Sequence, residues 1–325
     1  MGTVFKLTAT SIENRLYDFN LPPDAILPYA GLYQDAAGNL YGTTLKGGSF
    51  GPPNGSGAVF KLDVAGNETV LHSFGRGRDG SSPNSVLIAD AKGNLYGTAG
   101  DGGRYGAGML FKITPDGKET KLYQFIGLDG GVPLPSLIRD AQGNLFGTTI
   151  DGGAHGYGTA FKFAKNGTYT ILYSFCSLQN CTDGLQPRAG LVQDPSGNLF
   201  GTTGQGGANG QGTVFEITQS GQEIVLHSFG SVGSGDGRWP FAGLVRDPMG
   251  NLYGTTFLGG ANDRGTVFKV DSTGNETVLH SFCSQPKCAD GNQPGDRLFR
   301  DQAGNLYGVA SLGAYQAGVI FKLTP

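Results

Sequence analysis

The chain has 325 residues, 58 of them glycine, with 15% charged residues and a formal net charge of −3. That balance fits many short strands joined by tight turns. The scattered Lys and Arg form no basic stripe, which argues against nucleic acid as a partner, and no apolar run is long enough to span a bilayer.

The first predicted element is Gly2–Leu7, a strand by its alternation and β-branched content. A second strand follows at Asn14–Phe19, then a loop with Asp24 and Pro28, then a short strand at Gly31–Asp35. The tight turn Asp35-x-x-Gly38-Asn39 leads into Leu40-Tyr41-Gly42-Thr43-Thr44, and a Gly47-Gly48 loop brings the chain to Gly57–Leu62. From there the order starts again, with Glu68–Phe74 as the next second strand. The motif Gly-Asn-Leu-Tyr-Gly-Thr-Thr marks each return, its Asn falling at 39, 94, 144, 198, 251 and 305. The steps are therefore 50 to 55 residues, and no segment has helical periodicity of useful length.

Four short antiparallel strands copied six times predict an all-β fold, a six-bladed β-propeller formed as one domain over residues 1–325. A sandwich would not copy its sequence six times. The strand after the crossing loop, Gly31–Asp35 and its counterparts, is expected to be innermost and to line a central channel. The chain begins with two strands before the first inner one and ends after three. Asn14–Phe19 is thus expected to close the last blade, while Gly2–Leu7 and Gly318–Leu323 compete for one slot.

The four cysteines form two copies of one pattern, Cys176-x4-Cys181 and Cys283-x4-Cys288, each preceded by Phe and followed by x-Asp-Gly. Zinc would want closer pairs brought together in space. Two local disulfides are expected instead, Cys176–Cys181 and Cys283–Cys288, each contributing about 2 kcal/mol. Disulfides imply an extracellular or periplasmic protein. Met1 leads straight into repeat sequence without a charged-then-apolar leader, so the leader is expected to have been removed.

Together, Gly-Asn-Leu-Tyr-Gly-Thr-Thr, the Gly-Gly loop, Gly-Thr-Val-Phe-Lys and Val-Leu-His-Ser-Phe make the chain resemble, along its whole length, the GloVer tandem repeats of Gloeobacter and Verrucomicrobia. The resemblance implies an extracytoplasmic bacterial propeller, exported or surface-anchored. It carries no catalytic residue to transfer.

Two aspartate series recur. Asp35, Asp90, Asp140, Asp194, Asp247 and Asp301 precede the Gly-Asn turn; Asp24, Asp79, Asp129, Asp183, Asp236 and Asp290 lie four residues before a proline. The second series could form a carboxylate ring taking Ca²⁺. Sixfold copying favours turn-forming carboxylates instead, so no metal or other cofactor is expected. His72, His227 and His280 share one repeat position and are expected to pack or hydrogen-bond.

Function should lie where copies differ, in the long Asp-Gly-x-x-Pro and Gly-Gly loops at one end of the blades. Candidates there are Arg104 and Tyr105, His155 and Tyr157, Trp239, and the Asp296–Arg297 pair that breaks the inner-strand pattern. Tyr, His and Arg from such loops could bind an anionic sugar or deprotonate carbon beside a uronate carboxylate. Against this, exposed loop residues need no function, Trp239 could plug a gap, and Asp296–Arg297 could fill space as a charge pair. No nucleophile motif, metal triad or phosphate loop is present. The sequence therefore favours a monomeric binding or interaction module for carbohydrate or another surface ligand. The alternative is an enzyme acting at the channel mouth, a polysaccharide lyase or metal-dependent hydrolase.

Overall fold

The computed structural model describes residues 2–8, 12–20, 24–51, 55–231, 235–314 and 317–325. It is all-β, a six-bladed β-propeller whose repeats each form a small antiparallel sheet. Among the described residues the helical turns are two 3-10 turns, Gln179–Cys181 and Pro286–Cys288. The chain divides into two compact units, Met1–Gly147 with Lys162–Thr170, and Thr148–Phe161 with Ile171–Pro325.

Within a sheet the strands follow chain order. In the first, Tyr33–Gln34 pairs with Leu40–Thr44, which pairs with Ala58–Leu62, which pairs with Glu68–Ser73. The inner strand keeps only two ladder residues of the five expected. The chemistry of Gly-Thr-Thr follows from this register. Gly42 lies opposite Phe60, and a Cβ at Gly42 would sit 2.7 Å from that ring; Gly201 is equally close, at 2.6 Å, to Phe215. The first threonine reaches the next repeat: Thr43 Oγ1 donates to the Ser85 carbonyl at 3.1 Å, and Thr202 to that of Ala242 at 3.2 Å. The second stays local, Thr203 Oγ1 donating to Gln205 O and accepting from the Thr213 amide.

The phenylalanines extend the same link between repeats. Phe175 meets Phe215 at 5.0 Å between ring centroids, Phe229 meets Phe268 at 4.9 Å, and all four are fully buried. Such tilted or edge-on contacts between buried rings add to the stabilisation from the apolar area they remove from water.

Two features depart from the sequence expectation. The Asp-Gly-x-x-Pro segments are not free loops, because they pair with the Gly-Gly segments: Gly80–Pro83 with Ala99–Gly102, and Gly237–Arg238 with Leu258–Gly259. The residue before each proline, Leu27, Ser82, Val132, Gln186, Trp239 and Gln293, is held at φ 51–61°, the left-handed region that costs a side-chain-bearing residue energy. The second concerns the closing strands. Val319–Leu323 takes the contested slot beside Leu306–Leu312, whereas Gly2–Leu7 pairs with Glu13–Phe19 in a two-stranded sheet of its own. The second strand therefore stays with its hairpin neighbour rather than extending the sixth sheet, since the local pairing has the lower closure cost.

Candidate functional site

Both expected disulfides are present, with Cα–Cα separations of 4.1 and 4.0 Å. They brace the loops holding Asp183 and Asp290. The first aspartate series makes turns: Asp35 accepts from the Ala37 and Asn39 amides at 2.9 Å and from Asn39 Nδ2 at 2.8 Å. These bonds, led by the Asn39 side chain, hold its carboxyl below the usual range.

The second series is tied up in local side-chain bonds. Each of these carboxylates that the structure describes in detail is tied to the His or Tyr on the strand just before it in the chain. His72 Nε2 lies 3.2 Å from Asp79 Oδ2, His280 Nε2 lies 3.1 Å from Asp290 Oδ2, and the Tyr173 hydroxyl donates to Asp183 Oδ2 at 2.8 Å. Tyr123 donates to Asp129 in the same way. In four repeats a glutamate from the start of the following repeat's outer strand joins them. Glu68, Glu119, Glu223 and Glu276 are each pushed up to about 7, first by burial and then by an aspartate, namely Asp24, Asp79, Asp183 and Asp236. Oε1 of each is buried without a hydrogen-bond partner. Sequence reasoning missed these glutamates. The available signal was their constant place four residues before His72, Tyr123, His227 or His280.

Two of the groups bring His, Asp and Glu donors within 4.8 Å of one another: His72–Asp79–Glu119 in the first unit and His227–Asp236–Glu276 in the second. Their aspartates are nearly closed to solvent and their histidines reach it slightly. The first group forms the floor of a cleft of about 470 Å³, whose walls include Phe50, Arg76 and Lys121. The Arg76 guanidinium lies 5.7 Å from the Phe50 ring centroid, and Lys121 Nζ is 4.0 Å from Asp79. Phe50 is partly exposed, so the cleft offers a ring face beside hydrogen-bond donors and acceptors.

The residues expected from sequence are placed as follows. Arg104 lies over Tyr105 at 5.4 Å, both exposed, and the Arg104 amide donates to Gln124 Oε1. His155 and Tyr157 share one exposed loop. Trp239 is half-buried and stacks on Phe241 at 6.1 Å, with Phe257 next at 5.8 Å. Asp296 and Arg297 reach solvent, yet protein crowds them: burial raises the Asp296 carboxyl and lowers Arg297. The guanidinium donates to the Leu244 carbonyl at 3.1 Å, and the Arg297 amide to Asp296 at 2.7 Å.

A model of the Gloeobacter/Verrucomicrobia repeat matches residues 1–182 and 176–325. The chain belongs to that repeat family. No curated protein matches this GloVer chain. Among solved structures it is similar to a provisionally named 6-phosphogluconolactonase from Bacteroides uniformis, at 17% identity and TM-score 0.58, over 95% of this chain and 84% of that one. It is also similar to the extracellular domain of a provisionally named hybrid two-component system from B. thetaiotaomicron, at 13% identity and TM-score 0.52, over 93% of this chain and 38% of that one. A gluconolactonase from Xanthomonas campestris follows at 16% identity and TM-score 0.49, over 89% and 84%. At these identities the likeness shows the propeller fold alone. Among the described residues no helix is long and apolar enough to cross a membrane.

Proposed function

We propose that this GloVer propeller is an extracytoplasmic binding module that takes a carbohydrate in the Phe50–Lys121 cleft. The observation that carries the reading is the cleft itself: an aromatic face at Phe50, cations at Arg76 and Lys121, and the polar floor of His72, Asp79 and Glu119. A sugar ring stacks its C–H face on an aromatic plane while its hydroxyls satisfy converging polar groups. Two cations at the walls favour a sugar bearing a carboxylate. The two disulfides support a location outside the cytoplasm.

The paired carboxyls do not read as a glycosidase pair. Asp79 and Glu119 bring carboxylate oxygens within 4.8 Å of one another, whereas glycoside hydrolysis needs carboxyls about 5 Å or more apart with the bond to be cut between them. Hydrolase chemistry of the kind named in the lactonase neighbours rests on fold likeness, and no residue identified in this chain adds to it.

Phe50→Ala and Lys121→Ala should each weaken binding of an acidic oligosaccharide by about tenfold, measured by calorimetry after a glycan array has supplied the ligand. His155→Ala and Arg104→Ala, on other exposed loops, should leave both affinity and melting temperature essentially unchanged, with stability altered by about 0.5 kcal/mol or less. Blank arrays at high protein concentration, or affinity lost through His155→Ala alone, would defeat the assignment of this cleft.

A further inference from the structure

We propose that His72–Asp79–Glu119 and His227–Asp236–Glu276 each bind a divalent transition-metal ion of the zinc or manganese class, through one imidazole nitrogen and two carboxylate oxygens. The donors already lie within 4.8 Å of one another in both units. Each group leaves one carboxylate oxygen, Oε1 of Glu119 or of Glu276, buried with nothing to bond to. Two carboxylates this close require a proton or a cation between them. A mixed imidazole–carboxylate set suits a borderline divalent ion better than Ca²⁺, which takes six to eight oxygens. The first group has its access route in the cleft, where water can complete the coordination shell.

The protein carries its own control. Tyr17–Asp24–Glu68 and Tyr173–Asp183–Glu223 hold the same carboxyl pair with a phenol in place of the imidazole. A phenol hydroxyl that donates to the aspartate offers no free lone pair comparable to imidazole nitrogen. There burial and the neighbouring aspartate favour the protonated glutamate. The imidazole is thus the residue that turns a repeated inter-strand link into a metal site at two places. At His280–Asp290 the described residues supply no third donor, and no ion is assigned.

The inference stands apart from the carbohydrate reading, since its test uses metal alone. Metal-free protein is titrated with Zn²⁺ and with Mn²⁺ by calorimetry, and Co²⁺ is added separately for its absorption bands. Two ions should bind per chain. His72→Tyr should leave one and the His72→Tyr/His227→Tyr pair none, with melting temperatures of the metal-free forms unchanged, because tyrosine already fills this position at 17, 123 and 173. Glu119→Gln should weaken one site by about tenfold or more. No saturable binding up to about 1 mM metal, or a stoichiometry that survives the double substitution, overturns the proposal.

Discussion

Replacing Asp183 by alanine should lower the unfolding free energy by about 3 kcal/mol, the largest loss expected from any exchange of one polar side chain in this protein. Asp183 is 0% exposed. Its two oxygens accept from the Tyr173 hydroxyl at 2.8 Å, the Ser177 amide at 2.7 Å, the Ser177 hydroxyl at 3.0 Å and the Leu178 amide at 3.2 Å. Removing the carboxylate leaves all four donors without their shared acceptor and opens a hole at a fully buried position, and a donor left unmade costs more than a bond made contributes. Tyr173→Phe removes one donor and leaves the acceptor satisfied by three others, so it should cost about 1 kcal/mol. The measurement is urea unfolding of both variants with the Cys176–Cys181 disulfide intact. If Asp183→Ala falls within the Tyr173→Phe value, the carboxylate is not the anchor of this loop.

That network marks where the sequence was legible and where it was not. The six repeats, the strand order and both disulfides follow from spacing, because a copied motif must occupy copied geometry. The turn role of Asp35 and its counterparts was legible for the same reason. Glu119 and Glu223 were not, because they act across a repeat boundary: each serves the aspartate of the preceding repeat, about forty residues earlier in the chain. Spacing within one repeat shows what a residue does for its own blade and is silent on what it does for the next. Trp239 shows the same limit of spacing. It occupies the same left-handed position as Leu27 and Gln186 and packs on Phe241, a backbone setting that the sequence did not announce. The cleft depends on Phe50, two residues past Gly47-Gly48, where Tyr105 and His155 stand in their own repeats; its Gly-Gly loop was in view, but its apolar ring was not weighed as a candidate.

Stability should fall as pH rises from about 4.5 to about 7, by about 1 kcal/mol for each buried glutamate once solvent screening of these half-exposed groups is allowed for. Glu223 serves as the test because its partner is Tyr173–Asp183, with no imidazole to confuse the titration. Burial first, and Asp183 second, push its carboxyl up to about 7 in the folded protein, against the ordinary 4.5 of an unfolded chain. Below 4.5 the group is protonated in both states and adds no slope. Between 4.5 and 7 the folded state holds a proton that the unfolded state has released, so unfolding becomes easier as pH rises. Above 7 the folded state has lost it too, and the penalty is constant. Glu223→Gln keeps a neutral side chain of the same size that can donate to Asp183 at every pH. It should therefore match the parent near pH 4.5, exceed it by about 1 kcal/mol at pH 8, and flatten that part of the profile. Glu68→Gln, beside Tyr17 and Asp24, should behave alike. Chemical unfolding at pH 4.5, 6 and 8 in metal-free buffer decides the matter. Parallel profiles for parent and variant would mean that Glu223 is ionised throughout and that Asp183 tolerates a second negative charge beside it.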